Sequence, residues 1–338
     1  MNIIVDREKG LLELEQRISD LKVLNEQQLA LRSAEGSAAA DGVSFANEIR
    51  MLEEKYASLL REIFGNLTAW QKVHMARHPM RPRATSYLAG LDEFVELHGD
   101  RTFRDDPAVI GGIGLLGGRR VMVLAQQKGR DTKENVRRNF GMVHPEGYRK
   151  GLRLMRMAEK FSLPIVSFID TSGADPGIGA EERGQSEAIA QCILQLTKVR
   201  VPVVASVIGE GGSGGALAFG VADRIIMLEH SIFSIASPEG CAAILWKDAS
   251  KAEEAATRLK LTAGDLKALG IIDEIVPEPL GGAHRDVEAT VSALLRAHGR
   301  ALDELSSMPI DQVLAERYAK YRRIGSWQAE TERMVGAT

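Results

Sequence analysis

The stretch Val201–Ala216, which reads VPVVASVIGEGGSGGA, decides how this chain is interpreted. Its first half, Val201 to Ile208, is an apolar run with the length of a buried strand. Its second half, Gly209 to Ala216, holds five glycines and leads into a short apolar segment. Glycines at a strand-to-helix turn leave backbone N–H groups uncovered and let a ligand come close. The stretch therefore predicts a site that holds negative charge, either a phosphate or a developing oxyanion.

Short apolar runs and glycine turns continue on both sides of this stretch. We predict further strands over 109–116, 120–125, 164–170, 224–228, 232–235 and 271–276, and helices over 181–198 and 261–270. The first two of these strands flank Gly117-Gly118 and should pair with each other. The alternation of strand, glycine turn and helix is typical of an α/β domain in which helices cover a largely parallel sheet.

Amphipathic helices are predicted at the N-terminal end, because apolar residues recur at helical spacing over 11–21 and again over 45–63. The small-residue segment 33–44 should join them into a hairpin that docks on the main domain or on a partner. The C-terminal end has the pattern of a polar helical tail. The predicted domains are an N-terminal helical hairpin (1–78), an α/β domain (79–285) and a C-terminal helical tail (286–338).

Composition excludes several classes of protein. The chain has 338 residues, 44% of them hydrophobic, and a formal net charge of −3, which does not indicate nucleic-acid binding. Its two cysteines, Cys192 and Cys241, suit a reducing compartment and exclude a four-cysteine zinc site built from this chain alone. No signal peptide is evident, and no apolar run approaches the roughly 18 residues of a membrane span. We expect a cytoplasmic protein without a membrane segment.

Two catalogued patterns fit the glycine run, and each has a weakness. Gly209, Gly211 and Gly214 satisfy a dinucleotide fingerprint, with Glu229 at a plausible distance for a ribose contact, but the segment that follows is short for a first Rossmann helix. The run also contains the nucleophile-elbow pattern around Ser213. That interpretation needs an acid, such as Asp248 or Asp273, and a histidine, such as His284, within reach of the serine.

A third interpretation is an oxyanion hole without a nucleophile. The N–H groups of Gly214 and Gly215, at the start of a short helix, would stabilise an enolate or a ureido oxygen anion. The alternative without a chemical role is that the glycines only permit close packing of helix on strand.

Two other features of the sequence bear on ligands. His74 and His78 are four residues apart, as metal ligands on a helix can be, but His78 precedes Pro79, which disfavours a helix there. We therefore expect no metal in this chain. Residues 126–160 hold ten lysines and arginines against four acidic residues. A solvated helix face usually explains such a run, and a CoA phosphate tail or an acidic partner is a competing explanation.

Several long motifs occur in one order along the chain. They are QKGR at 127–130, RRNFGM at 137–142, PEGYRK at 145–150, FIDTSGADPG at 168–177, GAEERGQSEAIA at 179–190, IGEGGSGGALA at 208–218, SPEGCA at 237–242 and EPLGGAHR at 278–285. Together they resemble the alpha subunit of the carboxyltransferase component of bacterial acetyl-CoA carboxylase. The resemblance runs from the N-terminal helices to at least residue 285.

This resemblance implies a crotonase-like α/β fold, a spiral of strand–strand–helix units. It also implies transfer of a carboxyl group from carboxybiotin, on the biotin carboxyl carrier protein, to acetyl-CoA, giving malonyl-CoA for fatty-acid biosynthesis. A beta subunit should complete the site in an α2β2 tetramer, and biotin carboxylase, another component, should consume the ATP.

The resemblance further assigns residues to the site. Gly214 and Gly215 should form the oxyanion hole on the biotin side, with Gly211 and Gly212 supporting them. The residues expected to bind substrate are Gly173, Ala174, Lys128, Arg130, Arg137 and Arg138. The chain departs from the family at Ser172, where proline is usual, and at Gln126, where histidine is common.

Two alternatives to this function remain open. A non-catalytic crotonase-like scaffold subunit would use the N-terminal helices for assembly. A lone enoyl-CoA hydratase or isomerase would need an acid poised over its substrate and would act without biotin.

Overall fold

The computed structural model describes residues 3–35 and 45–325, and its main element is an eight-stranded mixed sheet. The strands are β1 (Glu93–Glu96), β2 (Val109–Leu116), β3 (Arg119–Gln126), β4 (Ile165–Thr171), β5 (Val203–Gly212), β6 (Arg224–Leu228), β7 (Ile232–Ser234) and β8 (Glu274–Val276). They lie in the order β1-β2-β3-β4-β5-β6-β8, and β7 pairs with the end of β5. The first three strands are antiparallel and all later pairs are parallel, as expected for an α/β sheet with an antiparallel edge.

The α-helices lie before, between and after these strands. They are α1 (Ile3–Glu35), α2 (Ala46–Phe64), α3 (Ala69–Ala76), α4 (Ala84–Leu88), α5 (Thr132–Arg137), α6 (Pro145–Lys160), α7 (Ile178–Glu182), α8 (Gln185–Lys198), α9 (Ser213–Gly220), α10 (Pro238–Trp246), α11 (Ala252–Arg258), α12 (Ala263–Ala268), α13 (Val287–Ser306) and α14 (Ile310–Arg323). Among the described residues, none of these helices combines the length and apolarity that a membrane crossing needs.

The β2–β3 hairpin forms where the sequence predicts it. Gly117 and Gly118 both have positive φ, at 54° and 78°, and Leu116 pairs with Arg119 on either side of them. Two central residues with positive φ give a turn whose twist matches that of the flanking strands, and glycine adopts it without steric cost.

Two apolar cores cover the two faces of the sheet. Alternate residues of β3 divide between them, with Met122 and Leu124 in one core and Val121 and Val123 in the other. The first core packs β2–β6 against α6, α8 and α9, and the second packs the sheet against α4 and α13. The parallel strands are therefore apolar on both sides, which explains their continuous hydrophobic runs.

The helical tail predicted after residue 286 is present as α13 and α14, but the prediction that it is polar is wrong for α13. Its apolar residues recur at helical spacing and enter the second core, where Leu294 and Leu302 are buried with Val291 and Leu305. Because charged residues lie between these apolar positions, the composition of the segment alone suggests a polar helix. The predicted domain boundaries themselves stay a prediction.

The N-terminal helices pack on each other and on α3. Ile4 and Leu11 of α1 are buried with Phe64 and Met75, while Tyr56 and its neighbours on α2 lie against the same cluster. The linker predicted over 33–44 begins inside α1, which continues to Glu35, and the rest of it lies outside the described residues.

Three predicted boundaries move. β5 continues through Gly212, so half of the glycine run is strand, and α9 begins at Ser213. The helix predicted over 181–198 is interrupted at Gly184, whose φ of 79° separates α7 from α8. The helix and strand predicted over 261–276 shorten to α12 and β8, with Gly270 (φ 70°) in the connection between them.

One buried ion pair fastens the last described helix to the sheet. Arg317 of α14 donates two hydrogen bonds of 2.7 Å to the carboxylate of Asp223 and others to the carbonyls of Leu196, Val199 and Val201. Both side chains of the pair are at most 3% exposed. Removing one member of such a pair leaves an uncompensated buried charge.

We expect Arg317→Met to lower the free energy of unfolding by roughly 3–5 kcal/mol, because Asp223 would lose its counter-ion. Urea unfolding followed by circular dichroism measures the loss. The control is Arg200→Met, which breaks an exposed pair with Asp311 and should cost at most about 1 kcal/mol. Equal effects of the two variants would contradict a stabilising role for the buried pair.

Candidate functional site

The carboxyl ends of β4 and β5 bring the predicted glycine segments together. Thr171, the last residue of β4, pairs with Gly211, so the loop that follows β4 runs beside the glycine run. A Cβ on Gly212 would clash with the carbonyl group of Ser172. A Cβ on Gly215 would lie 2.6 Å from the backbone of Gly173 and Ala174. Packing of backbone on backbone therefore accounts for glycine at 212 and 215.

Packing also accounts for glycine at position 211. A Cβ there would lie 2.8 Å from the ring of Phe233 on β7. One step earlier, a Cβ on Gly209 would lie 2.5 Å from the carboxylate of Asp170. The interpretation in which glycines permit close packing therefore holds for four residues of the run.

Gly214 is the exception. The nearest atom to a Cβ at this position is Cγ2 of Ile189, at 3.6 Å, which is an ordinary van der Waals contact. Its φ is not positive, so neither space nor backbone conformation requires glycine here. Gly214 is half-buried in the first turn of α9, where N–H groups have no acceptor within the helix. The close approach of a ligand would account for glycine at this position.

Ser213 begins α9 in a left-handed conformation, with a φ of 55°. This conformation is uncommon for a serine, and together with the exposed side chain it gives the strand–turn–helix geometry of a nucleophile elbow. The histidine that the elbow interpretation needs lies elsewhere, because Nε2 of His284 contacts Oε1 of Glu8 at 2.9 Å. The structure therefore does not support Ser213 as the nucleophile of a Ser–His–acid triad.

The dinucleotide interpretation also fails on geometry. The ribose candidate Glu229 accepts a hydrogen bond from the backbone N–H of Glu278. Two of the fingerprint glycines, Gly209 and Gly211, lie inside β5 and not in a turn around a pyrophosphate.

Lys128 joins the ends of β4 and β5 beneath the glycine run. Its Nζ lies 2.9 Å from Asp170 and 2.6 Å from Glu210, and the side chain is buried. Burial alone would raise the pKa of Glu210, but the charges of Lys128 and Arg77 lower it to about 2. Burial lowers the pKa of Lys128, and Asp170 and Glu210 more than reverse this, so its pKa is raised.

The structure therefore does not support the predicted contact between Lys128 and the substrate. Its ammonium group is engaged inside the fold and is not offered to a CoA phosphate. Arg138 is also buried and donates to Glu134 and to the carbonyl of Pro107. Of the four basic residues predicted to bind substrate, only Arg130 and Arg137 are exposed.

Two more of the ten lysines and arginines in segment 126–160 are paired inside the fold in the same way. Lys150 is fully buried against Asp105 and the carbonyl of Val109, and Arg149 pairs with Asp100. These four of the ten basic residues are structural, and neither of the two explanations considered from sequence applies to them. Five others are exposed, namely Arg130, Lys133, Arg137, Arg156 and Lys160.

Gln126, which replaces a common histidine, contacts the site directly. Its Nε2 donates a hydrogen bond of 2.7 Å to the carbonyl oxygen of Gly215, and its side chain is buried at the end of β3. The amide thereby holds the first turn of α9 against the sheet.

A second polar cluster, formed by Glu8, His78 and His284, lies between α1, the end of α3 and the loop before α13. Its candidate ligand atoms lie within 4.8 Å of one another, and two histidines with a carboxylate form a zinc-binding donor set. The cluster is not evident from the sequence, because Glu8 and His284 are far apart in the chain and the helical spacing pairs His78 with His74 instead.

Hydrogen-bond geometry favours a clamp over a metal site. The N–H of Met80 donates to Nδ1 of His78, so a neutral His78 carries its proton on Nε2 and donates it to Glu8 at 3.0 Å. The rings of His78 and His284 stack at 3.8 Å, and each contacts one oxygen of Glu8. Arg285 adds positive charge 3.7 Å from the same carboxylate. We call this arrangement the Glu8 clamp.

Known proteins resemble the chain along most of its length. A family model described as acetyl co-enzyme A carboxylase carboxyltransferase-like matches residues 4–325. The acetyl-coenzyme A carboxylase carboxyl transferase subunit alpha of Staphylococcus aureus strain JH9 is 50% identical over 325 residues, which cover 96% of this chain and 99% of that protein. The subunit of strain Newman shows the same identity and coverage.

Solved structures resemble the fold. Transcarboxylase 12S superposes with a TM-score of 0.54 at 16% identity, covering 67% of this chain and 41% of that chain. A Pseudomonas malonate decarboxylase hetero-tetramer in complex with coenzyme A superposes with a TM-score of 0.53 at 20% identity, covering 65% of this chain and 90% of that chain. The crotonase-like α/β fold implied by the resemblance is confirmed.

The Glu8 clamp makes stability depend on pH. Burial alone would raise the pKa of Glu8, but the hydrogen bonds with His284 and His78 lower it from an ordinary value of 4.5 to about 2. A carboxyl group with a lowered pKa contributes its full stabilisation above the ordinary value and loses it as the pH falls toward the lowered one.

We therefore expect Glu8→Gln to destabilise the protein near pH 6 by at most about 3 kcal/mol. The difference from the wild type should shrink as the pH falls from about 4.5 toward 2. Urea unfolding at pH 6, 4.5 and 3.5 measures it. The control is Glu48→Gln, which breaks an exposed pair with Arg17. A difference that stays constant with pH would contradict the clamp.

Proposed function

The chain belongs to the family of acetyl-CoA carboxylase carboxyltransferase alpha subunits, and on this premise we propose how its site takes part in carboxyl transfer. With a beta subunit, it transfers the carboxyl group of carboxybiotin, held on the biotin carboxyl carrier protein, to acetyl-CoA and releases malonyl-CoA. The reaction is a step of fatty-acid biosynthesis. ATP is used by a separate biotin carboxylase component and not by this chain.

The observation that carries the proposal is Gly214. Loss of the carboxyl group leaves negative charge on the ureido oxygen of biotin, and deprotonation of the acetyl thioester leaves an enolate. Each anion is stabilised by fixed N–H donors and needs no nucleophile of its own. Gly214 is the one position in the run that packing leaves free, and it lies in the first turn of α9 beside Gly215. These two N–H groups are the proposed hole for the ureido oxygen.

Gly173 and Ala174 form the opposite wall of this hole. Their backbone lies against Gly215, and Ala174 is tied to Val143 by an isolated bridge. Gly173 has a φ of 157°, a backbone conformation that residues with a side chain rarely adopt, so its conformation accounts for glycine at this position. We propose that they contact the substrate through their backbone.

An exposed apolar surface beside the site suits a beta subunit. The helix α10 begins at Pro238, directly after Ser237, which lies next to the glycine run, and only Pro238 and Ala242 of this helix are buried. Its Ile244 is 77% exposed and the preceding Ile235 is 80% exposed. Exposed apolar side chains that cluster mark an interaction surface. We propose that the beta subunit covers α10 and completes the site with the hole for acetyl-CoA, in an α2β2 tetramer within the cytoplasm.

Replacing Gly214 tests the hole. In the reconstituted tetramer, we expect Gly214→Ala to lower kcat about 100-fold, because the methyl group blocks the approach of the oxyanion to the N–H donors. Malonyl-CoA formation from acetyl-CoA and carboxybiotin measures this, and the melting temperature should not fall, since a Cβ at 214 meets only ordinary contacts. The alpha chain alone should be inactive.

The matched control is Gly299→Ala on α13, where a Cβ also meets no close neighbour. It should keep full activity. Gly215→Ala should instead lower the melting temperature, because its Cβ would lie 2.6 Å from backbone atoms. Full activity of Gly214→Ala in an assembled tetramer would favour a scaffold role. Turnover of an enoyl-CoA by the alpha chain alone, without biotin, would favour a hydratase or isomerase.

Replacing Arg137 tests whether this residue binds the CoA phosphates. Because Arg137 is exposed and Arg138 is not, we expect Arg137→Gln to raise KM for acetyl-CoA about fivefold without changing kcat. Initial rates over a range of acetyl-CoA concentrations measure this. The exposed Arg296 of α13 supplies the control variant, Arg296→Gln. Unchanged KM in Arg137→Gln would leave Arg137 as a solvated surface residue.

A further inference from the structure

Arg77, directly after α3, bridges the two elements that border the proposed hole. Its Nε donates to Oε1 of Glu210 at 2.6 Å, two residues before the end of β5. Its Nη1 and Nη2 donate to the two carboxylate oxygens of Glu239, in the first turn of α10, at 2.6 and 3.4 Å. One guanidinium group therefore connects the glycine run to the helix proposed to receive the beta subunit.

The two arms of this bridge differ in burial. Glu210 is buried and is also paired with Lys128, so it keeps a counter-ion whether or not Arg77 is present. The Glu239 side chain is 39% exposed and lies at the site-facing end of α10. The ion pair between Arg77 and Glu239 can consequently be removed without leaving a buried charge unpaired, because Arg77 keeps its pair with Glu210.

The two elements are joined on one side by β7, which pairs with the end of β5 and leads into α10 through residues 235–237. A small cavity also lies between them, lined by Arg77, Glu210, Gly211, Gly212, Ser172 and Ser237. Arg77 reaches across this cavity through its ion pairs with Glu210 and Glu239. A guanidinium fork spans it with a planar, bidentate geometry that a lysine does not reproduce.

We propose that Arg77 is a positioning residue for carboxyl transfer. Through Glu239 it holds α10 at a fixed distance from the end of β5, so that the hole at Gly214 keeps its geometry when the beta subunit packs on α10. This inference rests on the proposed function. It assigns no contact between Arg77 and the substrate.

Breaking the exposed ion pair between Arg77 and Glu239 tests the bridge. In the reconstituted tetramer with saturating beta subunit, we expect Glu239→Gln to lower kcat about tenfold, with KM for acetyl-CoA and the melting temperature unchanged. The matched control is Glu304→Gln, which breaks another Arg–Glu pair. In that pair, Arg224 lies on β6 and Glu304 lies on α13. The control variant should leave kcat unchanged. Arg77→Lys should recover part of the activity that Arg77→Met loses.

A double-mutant cycle separates positioning from a general effect on structure. If the bridge acts through the hole, Glu239→Gln should cause little further loss of kcat once Gly214→Ala is present. Equal losses in both backgrounds, an unchanged kcat in Glu239→Gln, or a loss that disappears at saturating beta subunit would each overturn the proposal. Full activity of Gly214→Ala would overturn the proposed hole instead, and the effect of Glu239→Gln in the wild-type background would still decide whether Arg77 positions α10.

Discussion

The buried ammonium group of Lys128 is the interaction on which the rest of the site depends. It follows β3 and pairs with Asp170 on β4 and Glu210 on β5, so that one cation joins the ends of three neighbouring strands. Two carboxylates this close in a buried environment would repel each other and lose their hydration, at a cost of several kcal/mol per ion. Because Lys128 lies between them, with Arg77 on Glu210 and Arg83 beside Asp170, these charges are compensated where β5 enters the glycine run.

This arrangement separates the charged side chains from the chemistry. The acids and bases under the run are paired with one another, and the hole that we propose after the end of β5 consists of backbone N–H groups. Fixed amide dipoles need no reorganisation when charge develops on an oxygen, and they do not titrate. Some glycines of the run let backbones touch, and Gly214, which packing does not restrict to glycine, is the position proposed to admit the ligand.

The sequence predicted the strand–turn–helix order and, through its motifs, the crotonase-like fold, because apolar runs and glycine turns are local signals. Through the resemblance it placed Gly214 and Gly215 in the hole and Gly212 in a supporting role. It did not separate Gly214 from Gly215, since that distinction depends on the loop at Ser172–Ala174, about 40 residues earlier. The same limit explains why Lys128 and Arg138 were predicted to bind substrate although both are paired inside the fold. A cluster of basic residues has the same composition whether its members face solvent or pair inside the fold, and only tertiary contacts decide which.

The segment 77–83 connects the N-terminal helices to this site by polar contacts. Arg77 reaches Glu210, while Arg81 donates to the carbonyl of Ile208 and to both oxygens of Glu278, and Arg83 lies 3.4 Å from Asp170. The ends of parallel strands present carbonyl and carboxylate oxygens, and the arginine fork, with five N–H donors, can satisfy several at once. His78, within the same segment, is held by Glu8 of α1. The helix α1 is therefore connected, through adjacent residues of one loop, to β5, the strand that leads into the proposed hole.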